Sequence, residues 1–228
     1  FHLFKLSGSA IADMRQPLVK EAGAPKRVRP EVVSQAAGLL QPGDVLVTRH
    51  DDALSNLFLP GFWPHAALYL GKAKELGDLG VSVPGDEGPH TLEAKKDGVL
   101  RRTLSDTLQV DAFVALRPRL DPAERALALE RALTHEGKLY DFLFDFRQSD
   151  RLACTALIYR TYHGLGDISF SLHERAGRLC LSAEDLLDQS MAPGWFDPLA
   201  LFGVGGNEFL TGPGVRSELL GSYRPDGG

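Results

Sequence analysis

Residues 63–71 read WPHAALYLG and place a histidine at the head of a run of small and apolar residues. Pro64 and Gly71 bound the run, whose length and composition predict a buried β-strand. A histidine in such a strand needs a hydrogen-bonding partner when it is buried. His65 is therefore interpreted either as a core histidine bonded to backbone or as one member of a reactive pair.

Residues 149–159, SDRLACTALIY, contain one of the two cysteines, Cys154. Ser149 or Asp150 can cap a helix here, which predicts Cys154 in or near the first helical turn. The open N–H groups and positive end of a helix stabilise a thiolate, the nucleophilic form of cysteine. The backbone N–H of Cys154 is also a candidate donor to an oxyanion. The alternative is a small buried side chain, as most free cysteines are.

A carboxylate lies between these two segments. Strand alternation over residues 91–95 puts Glu93 on the face opposite the apolar residues. Glu93 is either an exposed strand carboxylate or the acceptor of a ring N–H of His65, which would fix the histidine tautomer. His90 and Asp97 are weaker substitutes for the second role.

The order of the predicted elements favours an α+β domain with an antiparallel sheet, because the strands lie close together without regular βαβ alternation. The predicted strands are 45–47, 65–70, 91–94, 98–102 and 111–116, and the predicted helices are 31–40, 54–59, 122–135, 153–163 and 182–189. The 122–135 helix has an Asp121 cap and Glu124 three residues later. We expect a helical lead-in over residues 1–42, a main domain over 43–200, and a Gly/Pro-rich loop or tail over 201–228.

Composition excludes several classes of function. The net charge is -5 and the basic spots are short, so no electrostatic footprint for nucleic acid is present. Two cysteines are too few for a disulfide-dense scaffold or a four-cysteine zinc site, although a Cys154–Cys180 bridge stays possible. The chain has no HExxH or GxSxG motif, and Gly203–Gly206 lacks the following Lys-Ser/Thr of a phosphate loop. We predict no metal and no cofactor.

The sequence leaves the compartment open. No apolar run approaches the roughly 20 residues of a membrane span, and no signal peptide is visible in a chain that begins at Phe1. Cell envelope, periplasm and cytoplasm all stay possible, with peripheral contact to a membrane or envelope surface.

Three segments, taken together, resemble the bacterial permuted papain-like amidases, the YiiX/YebB-like branch of the NlpC-type cysteine peptidase superfamily. They are residues 43–47 with 62–71, residues 91–94, and residues 137–142 (GKLYDF) with 153–159. The order histidine, acid, cysteine matches the circularly permuted branch, and Thr155 departs slightly from the serine expected after the cysteine. The resemblance covers residues 42–165 and implies a papain-like fold with the nucleophile at a helix N-terminus.

The resemblance also implies site residues and a reaction. Cys154 is the expected nucleophile, His65 its base and Glu93 the residue that orients the histidine. Tyr140 is expected to line the cleft, and Trp63 is a further candidate for substrate contact. The implied function is a thiol hydrolase that cleaves an amide in an acylated amino acid, a lipid or a cell-envelope peptide through a catalytic triad.

Two other functions stay open at this point. One is an acyltransferase or phospholipid-acting enzyme of the lecithin–retinol acyltransferase type, for which Leu57-Phe58-Leu59 with Phe62-Trp63 could form an apolar rim. The other is a non-catalytic binding domain, which predicts that Cys154 and His65 lie too far apart to interact or that Cys154 is bonded to Cys180.

Overall fold

The computed structural model describes residues 25–51, 61–83, 88–175 and 177–224. The strands, in chain order, are β1 (Val45–Arg49), β2 (His65–Gly71), β3 (His90–Lys95), β4 (Gly98–Thr103), β5 (Ala112–Pro118), β6 (Leu139–Tyr140), β7 (Arg151–Leu152), β8 (His173–Arg175), β9 (Arg178–Cys180), β10 (Phe196–Phe202) and β11 (Phe209–Thr211). The helices are α1 (Pro30–Leu39), α2 (Ala73–Asp78), α3 (Leu104–Thr107), α4 (Pro122–Leu133), α5 (Cys154–Tyr162), α6 (Ala183–Met191) and α7 (Gly214–Tyr223). The predicted helix at 54–59 lies outside the described residues.

Seven strands form one sheet in the order β11-β10-β5-β1-β2-β3-β4, and every neighbouring pair is antiparallel. Alternate residues of each central strand point to opposite faces. Ala66, Leu68 and Leu70 of β2 join the larger core, to which α4, α5, α6 and α7 contribute. Ala67 and Tyr69 join a smaller core with α1 and α3. The α+β prediction with an antiparallel sheet is confirmed.

The local helix signals were accurate in most places. Asp121 caps α4 and forms the predicted capping box with Glu124, and Ser182 caps α6 in the same way with Asp185. The α1 helix packs against the sheet through Ala36, so the described end of the lead-in contributes to the core. None of the helices described is long and apolar enough to cross a membrane.

The prediction of a loop or tail over residues 201–228 is wrong for the described part, residues 201–224. Strand β10 runs across the proposed boundary at residue 200 and pairs with β5 in the middle of the chain. Strand β11 extends the sheet, and α7 packs on it through the buried Val215 and Leu219. Gly203 and Gly212, which directly follow β10 and β11, have positive φ values of 89° and 79°. The C-terminal segment is therefore part of the core.

Gly203 provides a test of that conclusion. It directly follows β10 with a φ of 89°, and an added Cβ would lie 2.3 Å from the carbonyl oxygen of Asp111. Gly203→Ala should lower the free energy of unfolding by about 3 kcal/mol, because backbone strain and overpacking add. Gly206→Ala is the matched control, since an added Cβ meets nothing within 4 Å; it should change stability by less than about 0.5 kcal/mol. Equal urea midpoints for both variants would contradict a packed C-terminal segment.

Candidate active site

Cys154 is the first residue of α5, a helix that packs against β2 and β3. The prediction that Ser149 or Asp150 caps this helix is wrong, because the N-cap is Ala153, which has no capping side chain. No side chain caps the helix, which leaves the N–H of Thr155 in the first turn open to the cysteine. The thiol accepts hydrogen bonds from the backbone N–H groups of Thr155 and Ala66.

The structure brings His65 to Cys154. His65 begins β2, directly before the residue whose N–H donates to the sulfur, and the two side chains are hydrogen-bonded. The Nε2 atom of His65 lies 3.0 Å from Oε2 of Glu93. Because Nε2 is engaged by the carboxylate, Nδ1 is the ring nitrogen left for the sulfur.

Glu93 is completely buried, so the interpretation as an exposed strand carboxylate is wrong. Its second oxygen, Oε1, lies 2.8 Å from Nζ of Lys95 and 3.1 Å from Nε of Arg102. The hydroxyl of Thr107 donates to the same oxygen at 3.2 Å. A buried carboxylate needs such compensation, because its desolvation is costly.

These contacts favour the charged form of each of the three side chains. Burial opposes charge on Cys154, but the neighbouring imidazolium and its hydrogen bond outweigh burial and lower the pKa of the thiol. Burial likewise opposes charge on His65, but Cys154 and then Glu93 raise the pKa of His65 to about 9. Burial would raise the pKa of Glu93, yet His65 and Lys95 lower it to about 2. All three shifts favour the charged forms, so they favour a thiolate–imidazolium pair beside an ionised Glu93 over the neutral thiol and imidazole.

The segment before His65 is held by the C-terminal half of the chain. Glu184, at the start of α6, accepts the backbone N–H of Phe62 at 2.5 Å. The indole N–H of Trp63 donates to Oγ of Ser222 in α7 at 2.8 Å. Trp63 is buried, and its position depends on elements that the sequence resemblance did not cover.

The segment with the sequence GKLYDF, residues 137–142, leads directly into Leu143 and Phe144, which line the space beside Cys154. The carboxylate of Asp141 accepts the N–H groups of Leu143 and Asp145 at 2.9 and 2.7 Å, which folds the chain into a tight turn after β6. Tyr140 packs edge-on against Phe142 with ring centroids 4.9 Å apart. Burial first, and then the charge of Cys154, raises the pKa of Tyr140.

A cavity of about 190 Å³ opens beside Cys154. Its apolar wall includes Trp63, Leu143, Phe144 and Leu181, and Arg175 and Arg178 of the β8–β9 hairpin also line it. Tyr140, which was expected to line the cleft, is not among the lining residues. The predicted rim residues 57–59 lie outside the described residues. A substrate group that enters this cavity lies directly against the thiol.

The observations differ from what a non-catalytic domain predicts. Cys154 and His65 interact, and both cysteines are free thiols. His90 and Asp97 do not take the place of Glu93 as the partner of His65. His90 of β3 lies opposite Thr103 of β4, and Asp97 accepts a hydrogen bond from Arg102 at 2.5 Å. Across the described ranges, no three His, Cys, Asp or Glu side chains are grouped so that they could hold a metal ion.

The fold and this constellation are those of a papain-like cysteine hydrolase with its histidine ahead of its cysteine in the chain. The profile of the family described as "permuted papain-like amidase enzyme, YaeF/YiiX, C92 family" matches residues 39–211. The chain therefore belongs to the permuted papain-like amidase family. A search of curated proteins finds no match.

Among solved structures, the chain is similar to the crystal structure of the metalloprotein YiiX from Escherichia coli O157:H7. The two share 16% sequence identity with a TM-score of 0.48, and the alignment covers 78% of this chain and 91% of the YiiX chain.

Sequence reasoning missed the residues that surround Glu93 and the arginines of the cavity. The sequence could have indicated Arg102 of the first group: in the predicted 91–102 hairpin it lies opposite Thr91 and therefore diagonal to Glu93. The second group had no such signal, because β8 and β9 are only three residues long and were not predicted.

Proposed function

We propose that this protein is a cysteine amidase that cleaves an acyl amide through a Cys154–His65–Glu93 triad and a thioester intermediate. The observation that carries the proposal is the contact network at the start of α5. There Cys154 interacts with His65, and His65 is bound by a buried carboxylate 3.0 Å from its other nitrogen. A nucleophile, a base and an orienting group in that relation define triad chemistry regardless of their order in the chain.

In the first half-reaction the Cys154 thiolate attacks the amide carbonyl carbon and the S–C bond forms. The backbone N–H of Cys154, at the first helical position, stabilises the oxyanion, because it has no carbonyl partner within the helix. The His65 imidazolium then gives its proton to the amide nitrogen, the C–N bond breaks and the amine leaves.

In the second half-reaction His65 takes a proton from water, and the resulting hydroxide attacks the thioester carbonyl. The C–S bond breaks, the carboxylic acid leaves, and the thiolate–imidazolium pair is restored. Glu93 stays ionised throughout and holds the imidazole orientation. Trp63 bounds the space that the substrate occupies.

The pH dependence of thiol alkylation tests the activated state of Cys154. At pH 6 a thiol of ordinary pKa is only about 0.1% thiolate, and burial raises the pKa of Cys180 further. Iodoacetamide at pH 6 should therefore modify Cys154 at least about 100-fold faster than Cys180, as measured by peptide mass spectrometry. Equal, slow modification of the two cysteines at pH 6 would contradict the proposed pair.

The reaction itself is tested with N-octanoyl-L-alanine, an octanoylated peptide and a diacyl phospholipid, in wild type and Cys154→Ala. An amidase releases free octanoic acid and amine, and the Cys154→Ala variant does not. The apolar cavity would suit an acyltransferase of the lecithin–retinol acyltransferase type equally well. That enzyme would give an acylated acceptor in place of free acid, so the products separate the two functions.

A further inference from the structure

The cavity beside Cys154 combines an apolar wall with two cationic side chains. Arg175 ends β8 and Arg178 begins β9, and these paired strands present both side chains to the same space. Trp63, Leu143, Phe144 and Leu181 provide the apolar surface. A cationic group beside an apolar surface is typical of a site that binds an amphiphilic anion.

Arg178 is the better placed of the two for a ligand. Its Nη1 donates to the carbonyl of Leu143 at 3.2 Å, which uses one of five guanidinium N–H groups. The carboxylate of Asp145 is close enough for Arg178 to affect its pKa. That carboxylate is already bound by Nε and Nη2 of Arg147, each at 2.9 Å.

Arg175 is more fully paired. Its Nη2 lies 2.9 Å from the carboxylate of Asp185, and 45% of its side chain is exposed. Asp185 also accepts the N–H and hydroxyl of Ser182, so this ion pair is anchored to the start of α6. Arg175 therefore contributes a partly neutralised charge, and Arg178 contributes the open donors.

From this arrangement we infer that the substrate carries an anionic group, which Arg178 binds with support from Arg175 while an apolar part of the substrate fills the cavity. The inference rests on the proposed function, because the anion is recognised next to the reacting thiol. Guanidinium N–H groups match two oxygens of a carboxylate or a phosphate. The same chemistry is present in the carboxylate of an N-acylated amino acid and in the phosphate of a phospholipid.

Two small alkylating reagents that differ in charge provide the first test. With either reagent the thiolate of Cys154 forms an S–C bond, the C–I bond breaks and iodide leaves. Iodoacetate carries a carboxylate, and iodoacetamide is its neutral counterpart. The ratio of the iodoacetate rate to the iodoacetamide rate should fall about fivefold in Arg178→Gln, because one cation near the thiolate is lost. The Arg178→Lys variant, which keeps the charge, should recover most of the ratio.

The control is Arg119→Gln, which also removes one positive charge. Arg119 is exposed and forms an ion pair with Asp197 of β10. The ratio in this variant should stay within about 1.5-fold of wild type, since exposed charges are strongly screened. A ratio unchanged in Arg178→Gln overturns the inference. Slow modification of Cys154 by both reagents in wild type is a different result, which contradicts the proposed function.

Protection against iodoacetamide identifies the source of the anion. N-octanoyl-L-alanine and octyl phosphate present a carboxylate and a phosphate, and N-octanoyl-L-alaninamide is the neutral control. We expect at least one anionic compound to protect Cys154 at about tenfold lower concentration than the neutral amide. That preference should disappear in Arg178→Gln. Equal protection by all three compounds would overturn the inference, and the more protective anion shows which substrate class the site prefers.

Discussion

The His65→Ala variant should lose the reactivity of Cys154 at pH 6 by about two to three orders of magnitude. In the wild type the imidazolium holds the thiolate in a place where burial alone would favour the neutral thiol. Without His65, burial becomes the dominant effect and the pKa of Cys154 should rise above its ordinary value of 9. The second-order rate constant of iodoacetamide alkylation, followed from pH 5 to 10, measures the shift.

Turnover should fall further than alkylation in the same variant. Alkylation needs only a thiolate, whereas amide cleavage also needs a proton for the departing amine, and His65 supplies both. We expect a loss of about four orders of magnitude in kcat/KM, as is typical when a triad member is removed. In wild type, turnover should also decline above about pH 9, where the imidazolium loses its proton.

His90→Ala is the matched control for this experiment. His90 begins β3, the strand that carries Glu93, and it lines a separate small cavity with Leu70 and Arg101. Its alkylation profile should stay within about twofold of wild type. If His65→Ala retains the low-pH reactivity of Cys154, the imidazole is not its source, and the helix N-terminus has to account for it.

The sequence predicted the parts of the fold that depend on neighbouring residues. Asp121 and Ser182 cap helices through residues three positions away, so their signals are local. The β3–β4 hairpin closes over two residues, and its register follows from the alternation of Leu92 and Ala94. Residue types made Cys154, His65 and Glu93 candidates, and the family resemblance, with their order in the chain, favoured them as a triad.

Other parts could not be read from local pattern. Strand β10 contains Pro198, which argues against a central strand, yet the strand has a bulge between Pro198 and Ala200 that accommodates it. The burial of Glu93 is not visible in a strand of alternating polarity. It arises because α3 covers that face and Thr107 reaches the carboxylate. Tertiary packing decided both outcomes.

The cavity could not be predicted for the same reason. Its lining comes from four separate stretches, represented by Trp63, Phe144, Cys154 and Arg178. Phe144 has a positive φ of 53°, which is uncommon for a residue other than glycine. No sequence pattern indicates that conformation. Phe144 lies within the turn in which the Asp141 carboxylate accepts the N–H groups of Leu143 and Asp145.

The largest effect on stability is expected at Glu93. In Glu93→Ala, the cations of His65, Lys95 and Arg102 lose their common counter-charge in a buried place, and Thr107 loses its acceptor. Removal of one member of a buried ionic cluster costs about 3–5 kcal/mol of the free energy of unfolding. Glu93→Gln keeps the shape and an oxygen acceptor, so it should cost less, about 1–3 kcal/mol. Urea denaturation at pH 6 measures both.

Glu136→Gln is the control for these variants. Glu136 pairs with Arg101, the neighbour of Arg102 on β4, at 2.7 Å, but 34% of its side chain is exposed. An exposed pair of this kind contributes about 0–1 kcal/mol, so the loss should be small. A comparable loss in Glu136→Gln and Glu93→Ala would mean that burial of the Glu93 cluster does not determine stability.

The pH dependence of the Glu93→Gln effect separates the charge of the carboxylate from its shape. The pKa of Glu93 is lowered in the folded protein from its ordinary value of 4.5 to about 2. A carboxyl group whose folded pKa is lowered stabilises the fold fully above its unfolded pKa and loses that contribution as the pH falls through the folded pKa. The stability difference between wild type and Glu93→Gln should therefore be constant above about pH 5 and shrink toward pH 2. A difference that persists unchanged to pH 2 would assign the effect to packing, and Glu93 would then hold His65 by its shape instead of its charge.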